Sequence, residues 1–371
     1  MAEAPTRVWE QPVRGSYADP SVLGLNGLDR MRAVVKGRMP APPIHHLTGL
    51  VPVEAGPGTC TFSMPATPWF LTLAGLFNAG VMAWVADAPL GSAILTALPP
   101  GRILATSDLS MNFLRPVSPA SERLVARARV IHAGNSLGLS EVMVEDGLGR
   151  LLGHGTSRCF LFEPFPTVPE PPEELSWTPP DHDTPDPYLL PAPGEVLPQE
   201  FWDSNSGLEM MRALVKGELP APPLHYLLGG RFVAADEGEV TYAIPATEWL
   251  ASPARAVYGG AIALIADVAI AGAVQTTVGP RTAWSPLDLK VNFLRPVFPD
   301  GRTMTARGRV IHRGRTLAVA TGEIRSEDGK KVAVAHGSAV ILPDRPWTTT
   351  PVVAEEEPSV GRAGDAEGEA S

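Results

Sequence analysis

Tyr258-Gly259-Gly260-Ala261-Ile262-Ala263-Leu264-Ile265-Ala266-Asp267-Val268-Ala269-Ile270-Ala271-Gly272-Ala273-Val274 decides how this chain is read. Two glycines lead a run that is apolar on every side, which suits a helix wrapped by other structure rather than one lying on a surface. Asp267 alone interrupts it, and an ionised carboxylate in an apolar surround is costly unless it is paired or hydrogen-bonded. The run is too short, and too broken by that acid, for a membrane span of roughly 20 apolar residues. A buried core helix remains. The same pattern stands earlier in Phe77-Asn78-Ala79-Gly80-Val81-Met82-Ala83-Trp84-Val85-Ala86-Asp87-Ala88, and 267 − 87 = 180. The chain is therefore a tandem repeat.

Working outward, the repeat extends on both sides of these runs. Gly27 to Gly37 aligns with Gly207 to Gly217, each reading as a short helix closed by a C-terminal glycine. The Pro-Ala-Pro-Pro stretches after them, Pro40 to His45 and Pro220 to His225, are expected to be extended, because proline removes donors and restricts its predecessor. Period-two alternation marks strands at 58–64 and 238–244 ahead of the central helices. After them, Leu287, Leu289, Val291 and Phe293 point one way and Asp288, Lys290 and Asn292 the other, with a twin in Asp108 to Pro116. Three more strands are expected at 303–312, 316–325 and 331–342, and His154-Gly155 aligned with His336-Gly337 suggests a small deletion in one hairpin turn.

With 371 residues, each half is long enough to bury its own core. The expected organisation is an N-terminal arm over 1–22, a first domain over 23–163, a Pro-rich acidic linker over 164–200, a second domain over 201–345 and an acidic disordered tail over 346–371. Cys60 and Cys159 have no counterparts in the opposite half, which argues against a disulfide framework and for a reducing compartment. The N-terminus lacks a secretory signal, so the cytoplasm is the expected location. The formal net charge of −10 is concentrated in the linker and tail, which leaves about +4 on the rest, so an anionic small ligand is not repelled. No basic run interleaved with aromatics points to nucleic acid.

Together these residues resemble the hotdog-fold acyl-CoA thioesterases of the PaaI-like branch, in a tandem, double-hotdog arrangement. The resemblance spans roughly 25–162 and 205–342, and rests on the glycine-led helix with its acid and on the Asp288-Leu289-Lys290-Val291-Asn292-Phe293-Leu294-Arg295-Pro296 strand. It implies an α+β fold of two fused hotdog domains, each an antiparallel sheet wrapped around a long buried central helix. It also implies hydrolysis of an acyl-CoA thioester without metal or other cofactor, CoA being part of the substrate. Sites in that family straddle a dimer interface, replaced here by the interface of an intramolecular pseudo-dimer; further association of whole chains is compatible with the sequence. Where the family often has His before its glycines, this chain has Tyr258 and Asn78, which keeps a second expectation open, a non-catalytic acyl-CoA or lipid-binding protein.

The chemistry expected of such a chain follows from helix ends. Free N–H groups at Gly259-Gly260 or Ala79-Gly80 carry the positive end of the macrodipole and can hold the oxyanion of a thioester carbonyl. An Asp then activates water or attacks the carbonyl itself. Asp267 lies eight residues beyond Gly259, about 12 Å along the axis, so one carbonyl cannot touch both. Each centre must be composite: Asp87 with Tyr258, Gly259 and Gly260, or Asp267 with Asn78, Ala79 and Gly80. Ala79 and Pro89 make the first of these the preferred one, since Pro89 should disturb its helix. Arg295, Arg313 and Arg315 are candidate contacts for the nucleotide end of CoA. Recurrent histidines lack acids or cysteines at ligand spacing, so no metal is expected. Gly134-Asn135-Ser136-Leu137-Gly138 matches a nucleophile pattern but falls in a strand-to-strand turn, which is the wrong context.

Overall fold

The computed structural model describes residues 5–347. Residues 348–371 of the expected acidic tail lie outside them, whereas Trp347 packs its indole against Trp202 and Trp284.

In the first half, α1 (Gly27–Val35), α2 (Pro43–Thr48), β1 (Val51–Gly56) and β2 (Thr59–Pro65) precede the central helix α3 (Gly80–Leu95), and β3 (Leu104–Phe113), β4 (Arg123–Ala133), β5 (Leu137–Asp146) and β6 (Leu151–Leu161) follow it. The second half adds one helix at its start, α4 (Gln199–Ser204), and then repeats the order: α5 (Gly207–Lys216), α6 (Pro223–Leu228), β7 (Arg231–Asp236), β8 (Glu239–Pro245), α7 (Gly259–Gln275), β9 (Thr282–Phe293), β10 (Thr303–Arg313), β11 (Leu317–Arg325) and β12 (Lys331–Pro343).

All twelve strands form one antiparallel sheet in the order β1-β2-β4-β5-β6-β3-β9-β12-β11-β10-β8-β7. That order reads the same from either end, and the halves join through β3 and β9, from Asp108 opposite Asn292 to Asn112 opposite Asp288. Leu109, Met111, Leu289 and Val291 turn inward from that seam and are buried. Because α3 and α7 pack on each other beneath it, there is one continuous core rather than two, including Trp84 and Leu90 from α3 and Leu264 and Ile265 from α7. Each of those four side chains contributes about 1.5–3 kcal/mol by leaving water.

Several expectations change. Pro43 and Pro223 open the short helices α2 and α6 instead of extending the chain, because proline is tolerated at a first helical position, where its missing N–H is not needed. The offset of 180 holds throughout the last strands: Glu141 pairs with Thr156 and Thr321 with His336, so His336 is the counterpart of Thr156 and no deletion is needed. Pro89 does not stop its helix, which runs on to Leu95.

The N-terminal arm and the end of the linker are also repeats of one another, and they are exchanged. Val8–Glu10 and Pro187–Leu189 each form one 3-10 turn. The Trp249 indole N–H of the second half donates to the Gln11 carbonyl of the first arm at 3.1 Å, while the Trp69 indole N–H of the first half donates to the Leu190 carbonyl at 3.0 Å. Trp9 covers Gly229 and Tyr188 covers Gly49, positions where a Cβ would collide with those rings. Each half thus wears the leading segment of the other, and the stretch read as an unpacked linker is packed at its C-terminal end.

Candidate active site

α3 and α7 run past each other so that the middle of each meets the tip of the other. The Gly260 N–H donates to Asp87 Oδ2 at 2.9 Å, and the Gly80 N–H donates to Asp267 Oδ2 at 2.8 Å. Both carboxylates are buried, Asp87 being 6% and Asp267 2% exposed. The helix rise demanded this crossing: no acid can reach its own tip, and each reaches the sister tip instead. At each tip one further amide, that of Gly259 or Ala79, makes no hydrogen bond among the described residues. It remains available to an incoming oxygen.

Burial pushes Asp87 up to about 6, opposed by the Gly260 N–H and the Thr106 hydroxyl. Asp267 is pushed up to about 7 by burial, opposed only by the Gly80 N–H. The difference follows from their partners, since hydrogen bonds to a charged carboxylate favour that form. Thr106, on β3, donates to Asp87 Oδ1 at 3.4 Å, and its counterpart in the second half is Pro286, which has no hydroxyl. Thr106 escaped the sequence reading because nothing in a strand pattern marks which inward residue reaches a carboxylate on the covering helix.

Tyr258 and Asn78 are placed differently from each other. The Tyr258 hydroxyl donates to the Trp84 carbonyl at 2.6 Å and accepts from the Ala88 N–H at 2.9 Å, so its proton is committed inside α3. Asn78 accepts from the Gly80 N–H at 3.1 Å through Oδ1. Gly260 is required by close approach: a Cβ there would stand 2.5 Å from Tyr258 Cε1 and 2.8 Å from the Trp84 backbone. Gly260→Ala is accordingly expected to cost about 3 kcal/mol of stability, measured by denaturant unfolding, because the obstacle is backbone and cannot swing away.

Of the expected CoA contacts, Arg295 is separated from Arg313 and Arg315. Arg295 donates to the Lys331 carbonyl at 2.8 Å, at the end of the sheet where Val257, next to Tyr258, donates its N–H to Val297. Arg313 and Arg315 occupy the β10–β11 turn at the other end. The nine residues of β11 lie between, roughly 30 Å at about 3.3 Å each. Only Arg295 stands at the tip end, and the three cannot form one cluster. The sequence spacing hid this because residues near in number sit at opposite ends of a strand.

Other nucleophiles are unsuited. Burial pushes the Cys60 and Cys159 thiols up to about 12, far from thiolate formation at neutral pH. Ser136 lies in the β4–β5 turn, where its carbonyl accepts from Leu161. Among the described residues no group of three or more His, Cys, Asp or Glu could hold a metal ion, and no helix is long and apolar enough to cross a membrane.

Comparison with known proteins bears on these features. The family described as the thioesterase superfamily matches the chain twice, over 74–152 and 255–333, each match taking in the tip, the acid and the next three strands. Over 122 residues the chain is 29% identical to a protein of Saccharolobus solfataricus described as a "putative esterase", covering 33% of this chain and 85% of that one. A second protein of the same description, from Pseudomonas aeruginosa, is 29% identical over 144 residues, 38% of this chain and 94% of its own. The crystal structure of a "putative thioesterase" from Novosphingobium aromaticivorans aligns with 78% of this chain and 97% of its own at a TM-score of 0.50 and 15% identity, a likeness of fold. The chain belongs to the thioesterase superfamily, in the form of two fused hotdog repeats. Thioester hydrolysis is the reaction class that this membership carries.

Proposed function

We propose that the chain hydrolyses acyl-CoA thioesters at centres shared between its halves. The observation that carries the reading is the reciprocal pairing of each buried Asp with the sister helix tip, with an unused amide beside it. A thioester carbonyl received by that amide gains electrostatic stabilisation as its oxygen becomes negative. Ionised Asp then takes a proton from water as hydroxide adds to the carbonyl carbon, and the C–S bond breaks to release CoA thiolate, which is reprotonated. Alternatively the carboxylate adds to the carbonyl directly and the C–S bond breaks to expel CoA thiolate, giving an anhydride that water opens to the product acid and the free carboxylate. One turnover in oxygen-18 water tests the second route: label in the Asp carboxyl and none in the first product acid marks an anhydride opened at its Asp carbonyl, which direct attack by water cannot give. Neither route calls on a metal or organic cofactor. A cytoplasmic setting, which supplies acyl-CoA, fits the substrate.

The test is release of free thiol from a panel of acyl-CoAs by the purified full chain. No turnover with any member sinks the hydrolase. It would then favour the binding module, because a carboxylate capping a helix tip also serves as a purely structural contact. Where turnover is found, its rate should fall on the acid side with a midpoint near pH 6, because Asp87 must be ionised to act and burial raises it to about 6. A rate independent of pH from 5 to 8 removes Asp87 from the mechanism.

A further inference from the structure

We infer that Tyr258 is a positioning residue for Asp87 and not a hydrogen-bond donor to substrate. Its hydroxyl stands between the Trp84 carbonyl and the Ala88 N–H. A regular helix joins a carbonyl directly to the amide four residues on, so the phenol is set into the ladder of α3 as a strut. Asp87 lies inside the strutted turn. Tyr258 comes from the residue just before the tip whose Gly260 amide binds that carboxylate, so a single loop end grips α3 twice, once by the strut and once by the amide.

Two features make room for the hydroxyl. Pro89 supplies no N–H to the Val85 carbonyl, so the ladder is already weakened one residue beyond the strut. The ring of Trp84 meets that of Tyr258 edge-on at 5.7 Å between centroids, holding the phenol along the helix. The second half has neither device: Ala269 stands at the position of Pro89, and Asn78 bonds to its own Gly80 amide and not into α7. The strut is therefore particular to the Asp87 centre. It also bridges two groups that a proline-weakened turn would otherwise leave poorly joined, which explains why the helix passes Pro89 unbroken.

Tyr258 has one O–H, and the Trp84 carbonyl takes it. Burial and the nearby Asp87 hold the phenol well above its usual range, so it stays neutral and does not act as a base. The other titratable group facing Asp87 is Cys159 of β6, itself neutral, so no cation competes in setting the carboxylate.

The inference rests on the hydrolase reading for its kinetic arm only. In the full chain, Tyr258→Phe keeps the ring and removes the strut. The expected result is a 10–100-fold loss in kcat with KM changed less than about 3-fold, and an acid limb moved above pH 6 as the Gly260 bond loosens. A wild-type kcat and profile, or a loss confined to KM, overturns it. Two measurements need no turnover. Carbon-13 titration of the Asp87 carboxyl should show a higher midpoint in Tyr258→Phe than in wild type, and an equal one overturns the inference. In wild type labelled at the tyrosine ring carbon bearing oxygen, assigned by substituting the other four tyrosines, a non-hydrolysable acyl-CoA thioether should leave the Tyr258 signal in place. A signal displaced on ligand binding means that the hydroxyl serves the substrate, and decides against the strut even if Tyr258→Phe does not fold. Failure of wild type to release CoA speaks against the hydrolase alone.

Discussion

Asp87→Asn is expected to lower kcat by about 10²–10⁴-fold while the chain remains folded, since Asn keeps an oxygen for the Gly260 amide but can neither accept a proton nor attack a carbonyl. The Asn side chain is nearly isosteric, so the loss reports chemistry and not repacking. Steady-state release of thiol from the best acyl-CoA of a panel is the measurement. Asp267→Asn run beside it divides the activity between the two centres. The Asp87 centre has the larger share of useful features: a carboxylate mostly ionised at pH 7, the Thr106 hydroxyl beside it and the more permissive Gly259 at its free amide. If Asp87→Asn retains most of its activity and Asp267→Asn loses it, the assignment is reversed.

The second large effect is on stability, and its sign is opposite to that of most core substitutions. Asp267 has its proton affinity raised in the fold, from an ordinary 3.8 to about 7. Between those values the folded chain holds a proton that the unfolded chain has released, so stability falls as pH rises through this window. Above it, the folded state carries a buried charge answered by one backbone amide. Asp267→Asn removes that charge and keeps an acceptor for the Gly80 N–H, so it should stabilise the chain at pH 8 by about 2–4 kcal/mol. By pH 4 little of the gain should remain, because the unfolded aspartate is then close to half protonated and the folded one almost fully so. Thermal unfolding of both proteins at pH 4 and pH 8 tests this. Equal melting temperatures at pH 8 would falsify the buried-charge account. A protein that keeps such a charge at a cost is expected to use it, which links this measurement to the first.

Much of this site was legible in the residues because it depends on quantities that sequence fixes. Helix rise separates Asp267 from Gly259, and repetition at 180 supplies the second tip, so the crossed pairing could be deduced without coordinates. The inward strands were legible through period two, except at Leu287, which a bulge between Pro286 and Asp288 turns outward and leaves exposed although it was expected on the face of Leu289 and Val291. What could not be read depends on which surfaces meet. β1 and β7 are edge strands, largely exposed, and Pro52 blurs the first, so no alternation announces them. The Pro-Pro pairs carry no local sign of whether proline ends an extended run or begins a helix. Tyr258 was legible only as the residue before the glycines at the Asp87 centre, because pairing an acid with a tip does not fix the angle and rotation at which the helices cross. Only that crossing brings its hydroxyl to the Trp84 carbonyl. The arms escaped because their repeat rests mainly on Pro12 with Pro191 and Gly15 with Gly194, too little to notice without the paired Trp69 and Trp249 contacts.

Those traded leading segments govern the order in which the molecule can be completed during synthesis. When residues up to Leu161 have left the ribosome, the surface around Trp69 still awaits Leu190, and the segment bearing Gln11 has nowhere to settle until Trp249 is made. The earlier-born half must therefore wait, with an indole uncovered, for the later one. A pause or truncation between them leaves a half that can find its missing cover only on another nascent chain.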